Sequence, residues 1–373
     1  MKENTLENAC IYYKNAKGLK FEKREHIIPA FLGGKKMLDQ GVVSDQANEL
    51  FSEIEKHVSM ESGIMINRMF LGPGKRGSKN PKKVGSVKIG VMSSSSHGDR
   101  PSLGYIVMGK PKSIIQCIIR RNLDNKEVQM ILDADQMDNF SSKNSQFWDE
   151  LIMLNVDTII YIPNDKISEN ELILGTHKGK WFLAYNKALD RNVVKQNVRD
   201  FVHKISGHEI RVDDSKVHKV ETKNPLYNYE LVLDVNKYFR FCAKIAFNVS
   251  TFLNGKEFML NKCFDNIREA ILTGENIDDY VCINSVNPYN TFIKLDYESI
   301  YGRHLHSVIC FLNKDGYFAI VSFYGFVTSV LVKLSDPLNQ KPVMDLNGYF
   351  CDWENGKEYK LIDFIAGLNN ENG

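Results

Sequence analysis

Residues 23–55 read KREHIIPAFLGGKKMLDQGVVSDQANELFSEIE, and this stretch decides the fold that we predict for the start of the chain. The run Phe21–Ile28 has the composition of a strand that ends at a proline, and Gly33-Gly34 marks a loop. Val42-Val43 predicts a second short strand, after which Asp45 can cap a helix. The apolar residues of that helix recur at helical spacing, at Leu50, Phe51, Ile54 and Val58. The predicted order is therefore strand, loop, strand, helix.

Three polar side chains in this stretch have the chemistry to hydrolyse a phosphodiester. A neutral imidazole at His26 can take a proton from water near neutral pH, which makes it a candidate general base. A divalent cation can stabilise the departing oxygen, and Glu25 and Asn48 carry the oxygen ligands that such a cation accepts. Neighbouring side chains on a strand point to opposite faces, so Glu25 and His26 converge only if the strand bends before Pro29.

The same stretch resembles the HNH endonuclease motif of the ββα-metal (His-Me finger) family, in the branch that reads Glu-His-Ile-Ile-Pro followed by Gly-Gly. The resemblance covers roughly residues 8–58. It implies a ββα-metal finger in which His26 is the general base. It also implies that Glu25 binds the metal, and that Asn48 serves both catalysis and metal binding. The implied cofactor is Mg²⁺ or another divalent cation such as Mn²⁺.

The chain departs from this branch at its structural zinc site. Members usually hold the zinc with two Cys-x-x-Cys knuckles. Here the first knuckle reads Cys10-Ile11-Tyr12-Tyr13 and the second reads Ser44-Asp45-Gln46-Ala47, so only Cys10 remains of the four ligands. A structural zinc site needs four good ligands, and we therefore expect no structural zinc. We expect aromatic packing by Tyr12 or Tyr13 to hold the finger instead.

A basic interval follows the predicted finger. Between Glu61 and Asp99 the sequence has no acidic residue, whereas it has seven lysines and arginines. Glycines and prolines make the middle of this interval a loop. Such a loop can contact phosphates without reading a base sequence, and the competing interpretation is an ordinary solvated loop. The candidate nucleic-acid-binding residues are Lys75, Arg76, Lys79, Lys82 and Lys83.

The remainder of the chain predicts a larger mixed α+β region with a β-rich C-terminal part. Strands are predicted at Tyr105–Met108, Ile114–Ile119, Val128–Leu132, Thr158–Ile162, Lys180–Ala184, Tyr229–Val235, Ser307–Leu312, Tyr317–Phe323 and Val327–Leu334. Helices are predicted at Val193–Ile205, Lys237–Leu253 and Lys262–Leu272, the last two ending at Asn254-Gly255 and Thr273-Gly274. We therefore divide the chain into an HNH-like finger (1–60), a basic linker (61–99), a mixed region (100–225) and a C-terminal domain (226–373).

The composition is that of an ordinary globular chain. The formal net charge is only +2, so overall charge indicates no partner. None of the seven cysteines forms a Cys-x-x-Cys pair, which favours free thiols in a cytoplasmic protein over a disulfide framework. The uncharged run Gly316–Val332 is too short for a typical bilayer-spanning helix, and we predict two strands joined by a glycine turn. No membrane partner is therefore expected.

Together these patterns predict a metal-dependent HNH-type endonuclease that hydrolyses phosphodiester bonds in DNA, with RNA as an open alternative. The resemblance most often implies antiviral defence or mobile-element biology. Two other functions remain open. A catalytically inactive finger would leave a nucleic-acid-binding protein, whereas a sensor or interaction protein would have no nucleic-acid function.

Overall fold

The computed structural model describes residues 9–14, 16–74, 77–78, 80, 87–93, 100–120, 129–131, 140–206, 226–284, 305–325 and 328–371. These residues form a mixed α+β fold, which confirms the predicted class. The chain groups into two compact units, one of residues 1–86 with 231–373 and the other of residues 87–230. This grouping differs from the four predicted segments, because the described residues between 9 and 60 share one hydrophobic core with the C-terminal region.

The α-helices of the described residues are α1 (Asp45–Glu61), α2 (Gly63–Leu71), α3 (Phe140–Ile152), α4 (Arg191–Ile205), α5 (Val235–Asn254), α6 (Lys256–Met259), α7 (Asp265–Thr273) and α8 (Leu361–Glu371). The predictions for α1, α4, α5 and α7 are confirmed, and glycines directly follow α5 and α7 as expected. Helices α2, α3, α6 and α8 lie where no helix was predicted. In α2, the hydroxyl of Ser62 accepts the N–H of Ile64 over 3.2 Å and starts a helix inside the predicted linker.

The strands are β1 (Gly90–Ser93), β2 (Ser102–Val107), β3 (Lys110–Ser113), β4 (Ile115–Arg120), β5 (Gln129–Ile131), β6 (Ile160–Asn164), β7 (Glu171–His177), β8 (Lys180–Asn186), β9 (Leu226–Asn228), β10 (Val281–Asn284), β11 (Leu305–Asn313), β12 (Gly316–Phe323), β13 (Thr328–Ser335), β14 (Leu346–Asp352) and β15 (Lys357–Lys360). Most of the predicted strands are confirmed, including the antiparallel pair β12 and β13 within the uncharged run.

Three predicted strands are wrong. The run Phe21–Ile28 contributes only an isolated bridge at His26. Val42-Val43 forms no strand, and its first carbonyl instead accepts the N–H of Ile11 over 2.9 Å. The run Tyr229–Val235 is not a strand either, because the carboxylate of Asp234 accepts the N–H of Lys237 and caps α5.

The first unit is built around α5. An antiparallel sheet with the order β10-β13-β12-β11-β14-β15 packs against this helix, which also contacts α1. Apolar residues of α5 such as Phe241, Ile245 and Val249 are fully buried. A helix buried on most of its faces belongs to the interior of a domain, so α5 is the centre of the core that the sheet and α1 share.

Contacts far apart in sequence tie the first sixty residues to this core. The guanidinium of Arg268 in α7 donates to the carbonyl of Ile11 over 2.6 Å. The ammonium of Lys256 donates to the carbonyl of Gly41 over 2.9 Å. The N-terminal segment therefore packs as part of a larger unit rather than as a separate finger.

The described part of the second unit contains two sheets. Strands β5-β4-β7-β8-β6 form one sheet, in which β6 and β8 are parallel and the other pairs are antiparallel, and β3-β2-β1-β9 form an antiparallel sheet. Leu172 and Leu174 pack with residues of α3 and α4. Ile173, between them, packs with Val91 and Leu103 of the other sheet. Alternate residues of β7 thus face the helices and the second sheet.

The described helices include none with both the length and the apolar character needed to span a bilayer. All seven cysteines are free thiols, and five of them are buried.

Candidate functional site

The candidate site is built on a short hairpin that carries Glu25 and His26. His26 pairs with Met37 in an antiparallel bridge, and the N–H of Ile27 donates to the carbonyl of Lys36 over 3.0 Å. These contacts fix the backbone on which both candidate side chains are carried.

The Gly-Gly turn allows this hairpin to close. Residues Ala30–Leu32 form a 3₁₀ turn, and Gly33 follows with a φ of 93°, in the region that favours glycine. A Cβ atom on Gly34 would lie 1.9 Å from the carbonyl oxygen of Ile28. A side chain at Gly34 would therefore push apart the two arms that position His26.

The start of α1 differs from the prediction in its capping residue. The hydroxyl of Ser44, rather than the carboxylate of Asp45, caps the helix by accepting the N–H of Ala47 over 3.4 Å. Asp45 lies in the first turn, and its carboxylate accepts the N–H groups of Glu22 and Lys23 over 3.1 and 2.9 Å. Asp45 therefore ties the segment before the hairpin to α1.

The two segments that the sequence analysis compared with zinc knuckles, 10–13 and 44–47, meet in the structure. The thiol sulfur of Cys10 accepts the N–H of Ser44 over 3.3 Å, and both residues are fully buried. Tyr12 packs edge-on against Phe51 of α1, with ring centroids 4.6 Å apart. The hydroxyl of Tyr12 also donates to the carboxamide oxygen of Asn248 over 2.7 Å. The predicted aromatic packing by Tyr12 is confirmed.

Glu25 is engaged by a buried lysine from α5. The ammonium of Lys244 contacts the carboxylate of Glu25 and lies 2.6 Å from the carboxylate of Glu55 in α1. It also lies 5.5 Å from the ring centroid of Phe51. The side chain of Lys244 is only 1% exposed, so its charge is balanced within the protein rather than by water.

Lys244, Glu25 and Glu55 form a buried ionic triad, and burial affects the pKa values of its members. Burial by itself would lower the pKa of Lys244, but the two carboxylates outweigh this effect and raise its pKa above the ordinary value. Burial raises the pKa of Glu25, and Lys244 opposes this shift while Glu55 adds to it. The ammonium form of Lys244 is therefore strongly favoured between these carboxylates.

His26 is half-buried beside the triad. Its carbonyl oxygen accepts the side-chain N–H of Asn248 over 3.0 Å, which anchors the hairpin to α5. Burial lowers the pKa of the imidazole, and the carboxylates of Glu55 and Glu358 oppose this shift only in part. His26 is therefore neutral at neutral pH, in the form that can accept a proton.

Asn48 lies near the start of α1, as predicted. Its carboxamide nitrogen and oxygen are both shielded from solvent, and neither has a hydrogen-bond partner in the described part of the chain. Glu25 and His26 thus follow each other on the hairpin, and no hydrogen bond joins Asn48 to either side chain in the described structure.

The divalent ion that the HNH resemblance implies does not fit this arrangement. The carboxylate of Glu25, its predicted ligand, is already in contact with the ammonium of Lys244. A divalent cation bound to the same carboxylate would experience repulsion from that buried positive charge. Within the residues that the structure describes, no group of three or more histidine, cysteine, aspartate or glutamate side chains is arranged to hold a metal.

The predicted nucleic-acid-binding residues fall outside the described ranges. These are Lys75, Arg76, Lys79, Lys82 and Lys83. Their prediction therefore continues to depend on the charge pattern of the sequence.

The sequence analysis missed Lys244, Asn248 and Glu55. Lys244 and Asn248 lie four residues apart on α5, so they share one face of a helix that is otherwise mostly apolar. Polar residues at that spacing in an apolar helix are a signal of a buried polar contact. Their partners lie on other elements, and no local pattern identifies them.

Comparison of the chain with protein-family models, with curated proteins and with solved structures finds no match.

Proposed function

We propose that the chain is a nucleic-acid-binding protein whose HNH-like finger does not cleave. The pairing of Glu25 with the buried Lys244 carries this proposal. Metal-dependent hydrolysis at the finger would require the carboxylate that Lys244 occupies. Nucleic-acid binding by the lysines and arginines that follow the finger in sequence does not require that carboxylate.

The backbone arrangement supports an HNH-like origin for the finger. A hairpin carries His26, a glycine turn lies between its two arms, and α1 follows, although neither predicted strand forms. The contact between Cys10 and Ser44 joins the two segments that would carry zinc knuckles in the family.

The basic interval supports a nucleic-acid partner. Seven lysines and arginines lie between Glu61 and Asp99 without an intervening acidic residue. A stretch of this charge attracts phosphates and releases their counterions, which gives binding that weakens steeply with salt.

A basic stripe lies on α4 in the other unit. Arg191, Lys195 and Arg199 are four residues apart, so they form one stripe with a spacing of about 6 Å per step. Asp157 pairs with Lys195 and Arg199 over 3.0 and 3.5 Å. Exposed ion pairs of this kind contribute little stability, so a phosphate can compete with Asp157 for these side chains.

Two measurements on the full chain test this proposal. Fluorescence anisotropy with a DNA duplex and with single-stranded RNA, between 50 and 300 mM KCl, should show affinity that falls steeply with salt. Plasmid cleavage in Mg²⁺ or Mn²⁺ should be equal for the wild type and His26→Ala. No binding at 50 mM KCl would contradict the proposal and favour a sensor or interaction protein.

Substitutions separate the contribution of the basic interval from that of the α4 stripe. Alanine at Lys75, Arg76, Lys82 and Lys83 should reduce the slope of log affinity against log salt by about one for each phosphate that the variant no longer neutralises. Alanine at Arg191, Lys195 and Arg199 tests the α4 stripe in the same way. The matched control on α4 is Asn192→Ala with Gln196→Ala, which should leave the slope unchanged.

A second candidate function is the metal-dependent DNA endonuclease. The lowered pKa of His26 favours it, because this shift keeps the imidazole in the form that a general base requires. Cleavage that His26→Ala abolishes would establish this candidate and overturn the first.

A further inference from the structure

We propose that the ammonium of Lys244 is an internal cation that substitutes for the metal ion of the finger. On this proposal the finger folds without a divalent ion, and removal of the amine exposes a divalent-cation site formed by Glu25 and Glu55. The inference concerns the same finger as the proposed function but does not depend on nucleic-acid binding.

The position of Lys244 supports this substitution. Its ammonium contacts Glu25 on the hairpin and lies 2.6 Å from Glu55 on α1. It therefore joins the same two elements, hairpin and helix, that a metal between Glu25 and the helix would join. The positive charge of Lys244 holds the hairpin and α1 together by pairing with one carboxylate on each.

The charge balance explains why removal of the amine should expose a cation site. Glu25 and Glu55 lie beside the same buried ammonium, and their side chains are 11% and 24% exposed. Without Lys244, two carboxylates would face each other where water is largely excluded. They must then take up a proton or bind another cation, and two carboxylates with added waters suit a hard divalent ion.

The choice of substitution distinguishes charge from packing. Lys244→Ala removes the amine and most of the side-chain volume, which leaves room for a hydrated cation. Lys244→Met removes the charge but keeps an unbranched apolar side chain in that space. We expect the alanine variant to bind a divalent ion and the methionine variant to bind it weakly.

Thermal unfolding of the full chain in EDTA and in 5 mM MnCl₂ is the test. The wild type should have the same Tm in both. Lys244→Ala should unfold roughly 10 °C lower in EDTA, as expected for an uncompensated buried charge. Added Mn²⁺ should restore at least half of that loss, because a ligand that binds the folded state raises its stability. Titration calorimetry should show one Mn²⁺ per chain for this variant.

Two further variants make the result decisive. Lys244→Ala combined with Glu25→Gln and Glu55→Gln should not respond to Mn²⁺. If Lys244→Ala fails to fold in EDTA, its refolding from urea with Mn²⁺ replaces the melting experiment, and absence of recovery overturns the proposal. A wild-type Tm that rises by several degrees in Mn²⁺, with the rise lost in Glu25→Gln, also overturns it.

Nucleic-acid binding is measured separately. If the wild type does not bind DNA in a salt-sensitive way, only the proposed function is contradicted. If Mn²⁺ does not raise the Tm of Lys244→Ala, only the proposal that Lys244 replaces a metal ion is contradicted.

Discussion

The Nε2 atom of His306 lies 3.0 Å from the carbonyl oxygen of Leu32, a residue 274 positions earlier in the chain. The other ring nitrogen, Nδ1, accepts the N–H of Tyr324 over 3.1 Å, so the proton of the neutral ring lies on Nε2 and is donated to Leu32. This fully buried imidazole ties the turn before Gly33 to the end of the large sheet. The N-terminal segment and the C-terminal strands are therefore expected to unfold together.

His306 makes the stability of this unit depend on pH. Burial lowers its pKa to about 3, and the hydrogen bond to Leu32 opposes this only in part. The unfolded chain takes up this proton near pH 6.5, whereas the folded chain does so only near pH 3. The contribution of the neutral His306 to the free energy of unfolding is therefore fully present above pH 6.5, and it decreases as the pH falls towards 3. We expect a contribution of up to about 1.4 kcal/mol per pH unit between these values.

Urea denaturation between pH 4 and pH 7.5 measures this dependence. His306→Gln should lower stability at pH 7.5 by about 1–3 kcal/mol, since it disturbs two buried hydrogen bonds. The same variant should show a shallower pH slope than the wild type. His203→Gln, at an exposed position, is the matched control and should keep the wild-type slope. Equal slopes for the wild type and His306→Gln would contradict this account.

The hairpin turn gives a second prediction. Alanine at Gly34 would place its Cβ atom 1.9 Å from the carbonyl oxygen of Ile28, a contact with backbone that cannot be relieved by a side-chain rotation. We expect Gly34→Ala to destabilise the first unit by about 2–4 kcal/mol in urea denaturation. Gly63→Ala is the control, because no atom lies within 4 Å of that Cβ position. It should be neutral or stabilising by up to about 1 kcal/mol, since Gly63 begins α2.

The sequence correctly predicted helices and strands whose patterns lie within a short stretch of the chain. The apolar repeats of α1 and α5 identified both helices, and the glycine-centred apolar run identified the hairpin of β12 and β13. The run Tyr229–Val235 misled the prediction, because its apolar residues suit a strand while Asp234 acts as a helix cap. A short apolar run does not by itself distinguish these outcomes, since the choice depends on which partner strand is available.

The candidate site was predictable only in part for a related reason. The motif identified Glu25 and His26, and the hairpin places them on one short backbone segment. Lys244 reaches Glu25 from a helix near the other end of the chain, through packing that a single sequence does not locate. The ion pair of Glu25, a residue for which the sequence predicted metal binding, is therefore a tertiary effect.

A third prediction concerns the contact between Tyr12 and Asn248. The Tyr12 hydroxyl donates to the carboxamide oxygen of Asn248, which is fully buried and has no access to water. Tyr12→Phe should destabilise the unit by about 1–3 kcal/mol, because it leaves that oxygen without a donor. In an Asn248→Leu background the same change should have little effect. A double-mutant cycle by urea denaturation measures the coupling, and a coupling energy near zero would contradict a direct hydrogen bond.

The last prediction tests whether the two knuckle segments retain the geometry of a zinc site. Cys10 accepts the N–H of Ser44, so the first residues of both segments are already in contact. Replacing Tyr13, Ser44 and Ala47 by cysteine should complete a set of four thiolates, and we expect the variant to bind one zinc ion per chain.

Cobalt substitution provides the measurement, because tetrahedral thiolate coordination gives intense visible absorption. The matched control adds Cys10→Ser to the triple variant and should lose stoichiometric binding, since three thiolates leave one position of the tetrahedron without a protein ligand. Bound zinc should also raise the Tm, because the metal binds the folded state preferentially. A triple variant that has the wild-type circular dichroism spectrum but binds neither cobalt nor zinc would show that the segments meet without the spacing of a knuckle pair. The similarity to the zinc-holding branch would then be restricted to the hairpin that carries His26.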